Sequence, residues 1–242
     1  MGTATGLARG RVTGPSHPAR RIEAVAFDGF AIFDPRPVGA AAEAVFPGKG
    51  ADLVAAWRAR QFEYTWLRTL TGSYLDFWRV TQDALAYACA ALRLELPAEG
   101  RDRLMATYLH LDPWPDAMEV LRQLRAQGLR LAFLSNFTAT MLDANIQAGG
   151  LDTLFEARLT TDQAAAYKPH PRSYQLAVDH FGLPRESIAF VAFAGWDAAG
   201  AKRFGFPVYW SNRLALPPEE LDAPADRVAA GLAGLPRFLA ER

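Results

Sequence analysis

Five polar side chains stand directly after short apolar runs of the chain, where strands of a parallel sheet would end. Asp28 follows IEAVAF, Ser135 and Asn136 close LRLAFLSN, Lys168 lies in YKPHP, and Asp197 lies in AGWD. Because the carboxyl ends of parallel strands meet at one edge of a sheet, these side chains are expected to converge there. A carboxylate nucleophile needs a cation beside it, a small polar group to fix the substrate and a second group to manage water.

Each of these residues also has a plain structural explanation. Asp28 suits a turn, Ser135 and Asn136 suit a helix cap, Lys168 suits an exposed surface, and Asp197 suits an N-cap. The functional interpretation therefore depends on all of them occurring together, in this order, at predicted strand ends.

The elements that must position these residues alternate between strand and helix. Candidate strands are short apolar or alternating runs separated by helix-like stretches, and they cover residues 22–27, 129–136, 155–162, 187–193 and 207–212. Strands that alternate with helices predict right-handed crossovers and a parallel sheet covered on both faces. The predicted fold class is therefore α/β, with a Rossmann-like parallel sheet as its core.

A long segment of different character separates the first two candidate strands. Residues 50–96 have helical periodicity, with Trp, Phe and Tyr on repeating faces. FPGKG at residues 46–50 turns the chain into the first long helix, and Pro113 and Pro115 mark the return. The pattern predicts a loose tail (1–21), a core domain (22–35 and 113–242) and an all-helical cap domain (36–112) over the crevice.

Composition narrows the classes of partner. The chain has 242 residues, with 26 Lys plus Arg balanced by 26 Asp plus Glu, so no global field attracts nucleic acid or an anionic membrane. No uncharged apolar run approaches the ~18 residues of a membrane span, and the amino-terminal residues lack the apolar stretch of a secretory signal. Cys89, in the apolar run ALAYACAAL, is interpreted as a buried thiol. A cytoplasmic protein without nucleic-acid or membrane partners is expected.

The chain resembles the haloacid dehalogenase superfamily and, within it, the L-2-haloacid dehalogenases. The stretch WRARQFEYTWLR at residues 57–68 is the most specific, because it belongs to the cap of those enzymes and not to the wider superfamily. Other matching stretches are FD (27–28), FPGKG (46–50), DFW (76–78), LSN (134–136), YKPHPRSY (167–174) and GWDAAGAKRFGFP (195–207).

The resemblance implies a catalytic role for four residues. Asp28 resembles the nucleophile that displaces halide from C2 and forms an ester, and Arg58 resembles the guanidinium that receives the halide. Lys168 resembles the cation beside the nucleophile, and Asp197 the carboxylate associated with ester hydrolysis. The implied substrates are small 2-haloalkanoic acids converted to 2-hydroxy acids, by a homodimer that needs no metal and no cofactor.

Seven further residues match positions that bind or enclose the substrate in that family. Ser135 resembles the hydroxyl that binds the substrate carboxylate. The others are Asn136 and Trp196 in the halide pocket, Tyr174 as a supporting hydroxyl, and Phe30, Phe62 and Phe77 as apolar walls.

Two stretches depart from the family pattern. DGFAIFD is one residue shorter and has Ala31 and Ile32 where Gly-Thr is expected, and residues 192–194 read Ala-Phe-Ala where Ser-Ser-Asn is common. Polar groups beside the hydrolytic water are lost, so ester formation is expected to be intact and hydrolysis slower. Of the two aspartates in FDGFAIFD, Asp28 is predicted to be functional and Asp34 to belong to the connection into the cap.

Two other functions remain open at this point. A phosphatase of the same superfamily would carry a second aspartate two residues after the nucleophile, where this chain has Phe30. A non-catalytic protein that binds small carboxylates is favoured by the apolar departures and opposed by the joint presence of the catalytic set. Halide release from 2-chloropropionate without magnesium distinguishes the dehalogenase from both.

Overall fold

A parallel sheet forms the centre of the computed structural model, which describes residues 21–242. The predicted tail therefore lies outside the described residues except for Arg21. The strand order is β3-β2-β1-β4-β5-β6, and every neighbouring pair is parallel. The strands are β1 (Ala24–Phe27), β2 (Arg130–Ser135), β3 (Ala157–Thr160), β4 (Ile188–Ala192), β5 (Val208–Ser211) and β6 (Arg227–Ala229).

Ten α-helices surround the sheet in residues 21–242. They are α1 (Gly29–Ile32), α2 (Pro37–Val45), α3 (Gly50–Thr71), α4 (Phe77–Ala91), α5 (Ala98–Thr107), α6 (Ala117–Ala126), α7 (Ala139–Ala148), α8 (Pro171–Phe181), α9 (Gly195–Phe204) and α10 (Leu235–Ala240). In this part of the chain, no helix combines the length and apolar character that crossing a membrane requires.

Side chains along β1 alternate between the two faces of the sheet, so the apolar core has two parts. Val25 and Phe27 pack into one apolar cluster with α6, α7 and α10, whereas Ala24 and Ala26 pack into the other with α8 and α9. Burial on both faces explains why the strands read as nearly continuous apolar runs. The predicted α/β fold class with a parallel sheet is thereby confirmed.

The sequence patterns do not delimit every element, although α2 lies within the predicted all-helical cap. Strand β6 at the sheet edge is short and largely exposed, so it lacks the buried apolar run that identified the other five strands. Helix α2 buries only Val38 and Ala42, although Pro37 at its first turn is a typical helix-start signal. The helical pattern of residues 50–96 is interrupted where Gly72 ends α3 in the left-handed conformation (φ 67°) and Asp76 caps α4.

The chain leaves and re-enters the core through two segments that lie side by side. The backbone amide of Asp34 donates to Asp112 O at 2.9 Å, and that of Trp114 donates to Ile32 O at 2.8 Å. Residues 37–107, which hold α2 to α5 and are called the helical insertion below, are therefore tied back to β1 next to Asp28. The buried thiol of Cys89 packs inside this insertion.

A buried amide joins the end of the insertion to the core. Asn145 of α7 accepts a hydrogen bond from Leu111 N at 2.7 Å and donates to Tyr108 O at 2.8 Å. The side chain is fully buried. It satisfies backbone groups of a segment that has no regular secondary structure of its own.

We expect Asn145→Leu to lower the free energy of unfolding by about 2 kcal/mol or more, because each buried backbone group left unpaired costs about 1–3 kcal/mol. Urea denaturation measures the change. The control is Gln147→Leu, an exposed amide on the same helix, with an expected effect within about 0.5 kcal/mol. Equal losses in the two variants would mean that the Asn145 hydrogen bonds do not stabilise this junction.

Candidate active site

A single buried cation joins two carboxylates at the carboxyl edge of the sheet. Lys168 Nζ donates to Asp28 Oδ1 and to Asp197 Oδ2, both at 2.7 Å. The lysine side chain is fully buried, and both carboxylates are nearly so. Residues far apart in the sequence therefore meet at the end of β1, after β3 and at the start of α9, as the sheet topology predicts.

Asp28 is oriented by its backbone as well as by the lysine. It follows β1 directly, and its own amide continues the parallel pairing by donating to Val191 O at 3.0 Å. As the N-cap of α1 it accepts the Phe30 amide on Oδ2 at 3.1 Å, while Oδ1 faces Lys168. Charge-assisted bonds to both oxygens fix the direction in which the carboxylate can attack.

Asp197 is a second carboxylate with an altered proton affinity. Burial raises its pKa to about 6; the attraction of Lys168 opposes this rise and the charge of Asp28 adds to it. Its Oδ1 accepts the Tyr174 hydroxyl at 2.7 Å, and burial raises the pKa of that hydroxyl well above its usual value. Asp197 is thus ionised at neutral pH and poised to take a proton near pH 6.

Lys168 keeps its charge despite complete burial. Burial alone would lower the pKa of Lys168, but Asp197 and Asp28 outweigh that effect and raise it. Asn136 Oδ1 accepts the backbone amide of Lys168 at 3.2 Å, so the amide group supports the lysine segment as well as facing the cavity. The lysine is a fixed, permanently protonated partner of both carboxylates.

The helical insertion also holds the segment that carries Lys168. Tyr167 donates its backbone amide to Thr69 Oγ1 at 3.0 Å and its hydroxyl to Leu75 O at 2.5 Å. Tyr74 adds a hydrogen bond of 2.6 Å from its hydroxyl to Asp162 Oδ1. The position of the lysine therefore depends on contacts with the α3 to α4 connection.

A small cavity lies between the sheet edge and the insertion. Its volume is about 10 Å³, room for about one water molecule, so a haloacid can enter only if side chains move. Every predicted site residue lines this cavity except Lys168 and Tyr174, which lie behind Asp28 and Asp197. The lining residues are Asp28, Phe30, Arg58, Phe62, Phe77, Ser135, Asn136, Phe137, Phe193, Ala194, Trp196 and Asp197.

Arg58 brings an uncompensated positive charge to this cavity from α3. Its guanidinium lies over the rings of Phe30, Phe62 and Phe193, with centroid distances of 5.0, 5.2 and 5.6 Å. Within residues 21–242 it makes no hydrogen bond and no ion pair, and burial lowers its pKa. A guanidinium held by aromatic faces, with its N–H groups free, is suited to receive an anion.

A larger cleft lies on the other side of Phe77 and Phe137. Its volume is about 400 Å³, and its charged lining consists of the carboxylates Asp76 and Asp162. These charges would repel an anionic ligand, whereas the small cavity contains both the Lys168-bound carboxylate of Asp28 and the free guanidinium of Arg58. The smaller cavity is therefore the candidate active site.

Sequence reasoning had not assigned all residues that form this site. Phe137 directly follows Ser135 and Asn136 and closes the cavity, a position that chain adjacency could have indicated. Phe193 had been noted only as the loss of a polar group, yet its ring forms a wall. Trp114 backs that wall from the return segment, and its indole donates to Phe30 O at 3.0 Å.

Metal chemistry of the phosphatase type finds little support in the side chains present. Among residues 21–242, no group of three or more His, Cys, Asp or Glu side chains could hold an ion. Lys168 Nζ supplies the positive charge between Asp28 and Asp197, and an apolar ring stands at Phe30.

The comparisons with known proteins agree with this geometry. The family model described as haloacid dehalogenase-like hydrolase matches residues 17–205. A haloacetate dehalogenase H-2 from Moraxella sp. (strain B) is 41% identical over 86% of this chain and 93% of its own. The chain belongs to the haloacid dehalogenase-like hydrolases.

Other members of this family give the same result. An (S)-2-haloacid dehalogenase from Pseudomonas sp. (strain YL) is 41% identical over 85% of this chain and 89% of its own. The crystal structure of an L-2-haloacid dehalogenase superimposes with a TM-score of 0.89 at 42% identity, covering 91% of this chain and 100% of that one. The dehalogenase resemblance of the sequence is thereby confirmed.

We expect Lys168→Met to lower the free energy of unfolding by about 3–5 kcal/mol, because it leaves two carboxylates buried without a cation. Asp197 already binds its proton more tightly in the folded state, so its ionisation costs stability as the pH rises from its unfolded pKa through about 6. The loss in Lys168→Met should therefore be larger near pH ~8 than near pH ~5.

Urea denaturation at the two pH values measures this effect. The control is Lys202→Met, which removes a partly exposed lysine paired with Asp226 and should cost about 1 kcal/mol or less. A loss in Lys168→Met no larger than in the control would contradict the role of Lys168 as the central counter-ion.

Proposed function

We propose that the chain is a hydrolytic dehalogenase of small 2-haloalkanoic acids. An Asp28 oxygen attacks C2 of the substrate, the carbon–halogen bond breaks, and the halide leaves with the bonding electron pair towards Arg58. Water then attacks the carboxyl carbon of the aspartyl ester while Asp197 accepts its proton, which releases the 2-hydroxy acid and restores Asp28.

The observation that carries this proposal is the pairing of two charges in one cavity. The Asp28 carboxylate is held by Lys168, whereas Arg58 has no anionic partner among the described residues and faces the same space. A halide departs with developing negative charge, and a desolvated, fixed cation stabilises that charge without reorganisation. Phosphoryl transfer would instead call for a metal and a general acid near Phe30.

Relatives support the covalent step. The L-2-haloacid dehalogenase from Xanthobacter autotrophicus has been solved with chloropropionic acid covalently bound, and this chain superimposes on it with a TM-score of 0.84 at 35% identity, covering 90% of this chain and 98% of that one. By analogy, Ser135 binds the substrate carboxylate, and Asn136 and Trp196 help Arg58 receive the halide. The apolar walls Phe30, Phe62 and Phe77 exclude water from the reaction, and Tyr174 orients Asp197.

The domain arrangement and assembly belong to the same proposal. Residues 36–112 act as a cap that brings Arg58 to a core domain formed by residues 22–35 and 113–242. A homodimer is supported by apolar side chains at the end of α3, where Leu67 is 46% and Leu70 is 83% exposed. A cytoplasmic location fits the predicted function on small, soluble acids.

The second half of the reaction has fewer fixed partners. Both Asp197 oxygens already accept hydrogen bonds, from Tyr174 and Lys168, and residues 192–194 provide no polar side-chain atom to hold the attacking water. Water orientation is a major part of general-base efficiency. Ester hydrolysis is therefore the slower step.

Asp28→Asn and Arg58→Ala should each remove halide release from 2-chloropropionate, because one lacks the nucleophile and the other the halide acceptor. Loss of one fixed charge stabiliser typically costs about 10²–10³ in rate. Asp34→Asn and Arg60→Ala are matched controls outside the cavity lining and should remain active. Chelator should not reduce the rate of the unmodified protein.

Circular dichroism and thermal unfolding establish that each variant is folded. Unchanged turnover in either cavity variant would exclude the assigned role of that residue. A requirement for magnesium, or phosphate release without halide release, would favour a phosphatase instead. Carboxylate binding without halide release would favour the non-catalytic alternative.

Rapid mixing with excess substrate should give a burst of halide close to about one equivalent per active site, followed by slower release. The slow phase should weaken at acid pH, because protonated Asp197 cannot accept a proton from water. Esterification removes the negative charge of Asp28, which contributes to the raised pKa of Asp197, so this decline should lie below pH about 6. Stopped-flow halide detection across pH measures both phases. In Asp197→Asn the burst should remain and this pH dependence should vanish.

A linear time course at good turnover would mean that another group positions the water. A slow phase whose rate stays constant down to the lowest pH at which the protein remains folded would remove Asp197 from the role of general base.

A further inference from the structure

Phe193 forms the wall of the cavity on the β4 side. It directly follows β4, and its ring lies 5.8 Å from the ring of Phe30 and under the Arg58 guanidinium. The side chain is buried, and neighbouring Ala194 contributes only a methyl group to the lining. The volume available on this side therefore depends on one aromatic ring.

The Phe193 ring is packed so that it cannot move away from the cavity. The carbonyl of Phe193 accepts the Trp210 indole at 2.9 Å, which anchors its backbone to β5. Behind it the Trp114 ring is stacked at a centroid distance of 6.4 Å, and the Trp114 indole is itself bound to Phe30 O at 3.0 Å. The backbone of Phe193 and the Trp114 ring behind it are both held by buried hydrogen bonds.

Two guanidinium groups lie against the Trp114 ring. Arg36 lies 4.8 Å and Arg213 lies 4.5 Å from the ring centroid. Each arginine is anchored by an ion pair of 2.6 Å, Arg36 with Asp34 and Arg213 with Asp116. Displacing Phe193 would require these layers to move together, which costs far more than a side-chain rotation.

The reaction geometry places a substrate substituent against this wall. In the displacement at C2, Asp28 and the departing halide define an axis, and the carboxylate, the hydrogen and any alkyl group lie around it. The sheet order β2-β1-β4 puts Ser135 on one side of Asp28 and Phe193 on the other. With the carboxylate at Ser135, the hydrogen and the alkyl group both point into the half of the cavity on the β4 side, where Phe30 and Phe193 form the wall.

The cavity wall at the junction of the insertion and the core is less buried. Phe62 and Trp196 are only partly buried, with ring centroids 5.2 Å apart across the junction of insertion and core. The Phe62 ring centroid also lies 5.2 Å from the Arg58 guanidinium, so movement of this pair of rings opens the cavity at that junction and admits the substrate. It does not widen the space between Phe30 and Phe193.

We propose that Phe193 limits the size of the substituent at C2, so that the enzyme prefers 2-haloacids without an alkyl group there, the monohaloacetates, over 2-halopropionates. This inference rests on the dehalogenase function proposed above and names its substrate class. A smaller residue at position 193 would leave a space into which the methyl group of 2-chloropropionate fits.

The test compares kcat/KM for chloroacetate and (S)-2-chloropropionate in the unmodified protein, Phe193→Ala and Phe193→Leu. The unmodified protein should prefer chloroacetate by about tenfold or more, the usual scale for a misfitting methyl group. Phe193→Ala should shift this ratio towards chloropropionate by a similar factor, and Phe193→Leu by less. Thermal unfolding confirms that each variant is folded.

Phe137→Leu is the matched control, because it removes a cavity ring on the β2 side. Its chloroacetate to chloropropionate ratio should stay within about twofold of the unmodified protein, whatever its absolute rate. A ratio that does not change in the Phe193 variants, or that changes equally in Phe137→Leu, would overturn the inference.

A binding measurement separates this inference from the proposed chemistry. Calorimetry on Asp28→Asn, and on Asp28→Asn with Phe193→Ala, measures affinity for the two acids without turnover. Weak chloropropionate binding that Phe193→Ala restores supports the size limit even if no halide is ever released. Equal binding of both acids to Asp28→Asn, or binding of neither, overturns it.

Discussion

The ammonium group of Lys168, enclosed between Asp28 and Asp197, is the interaction on which the rest of the site depends. Two carboxylates this close cannot both stay ionised in a buried place without a cation between them. With the lysine present, Asp28 has a cationic partner, and the pKa of Asp197, which burial raises, is held at about 6. One buried charge thus assigns different tasks to two chemically identical groups.

Three parts of the fold hold the Lys168 ammonium between the two carboxylates. Strand β1 delivers Asp28, α9 delivers Asp197, and the segment with Lys168 is held by Asn136 and by hydrogen bonds from the helical insertion to Tyr167. The same insertion presents Arg58 to the cavity, so movement of the insertion would affect Asp28 and Arg58 together. Aromatic rings between these charges keep water out and strengthen their interactions.

Parts of this site could be predicted from the sequence for a topological reason. Asp28, Ser135, Lys168 and Asp197 follow strands of a parallel sheet, so their convergence follows from the strand order alone. Arg58 lies on a helix among Trp, Phe and Tyr, where no pattern distinguishes a halide acceptor from a solvated charge, and only the family resemblance identified it. The position of Tyr174 behind Asp197, and the walls formed by Phe137 and Phe193, depend on packing between distant segments, which local patterns do not encode.

The most direct test of this account is a single turnover in water enriched in oxygen-18, with enzyme in excess over chloroacetate. If Asp28 attacks C2 and water then attacks the aspartyl carbonyl, the oxygen gained by the product comes from Asp28. Mass spectrometry should then find unlabelled glycolate and one labelled oxygen on the peptide that contains Asp28. Labelled glycolate with an unlabelled peptide would mean that water attacks the substrate directly, and it would contradict the role of the Lys168-held carboxylate as nucleophile.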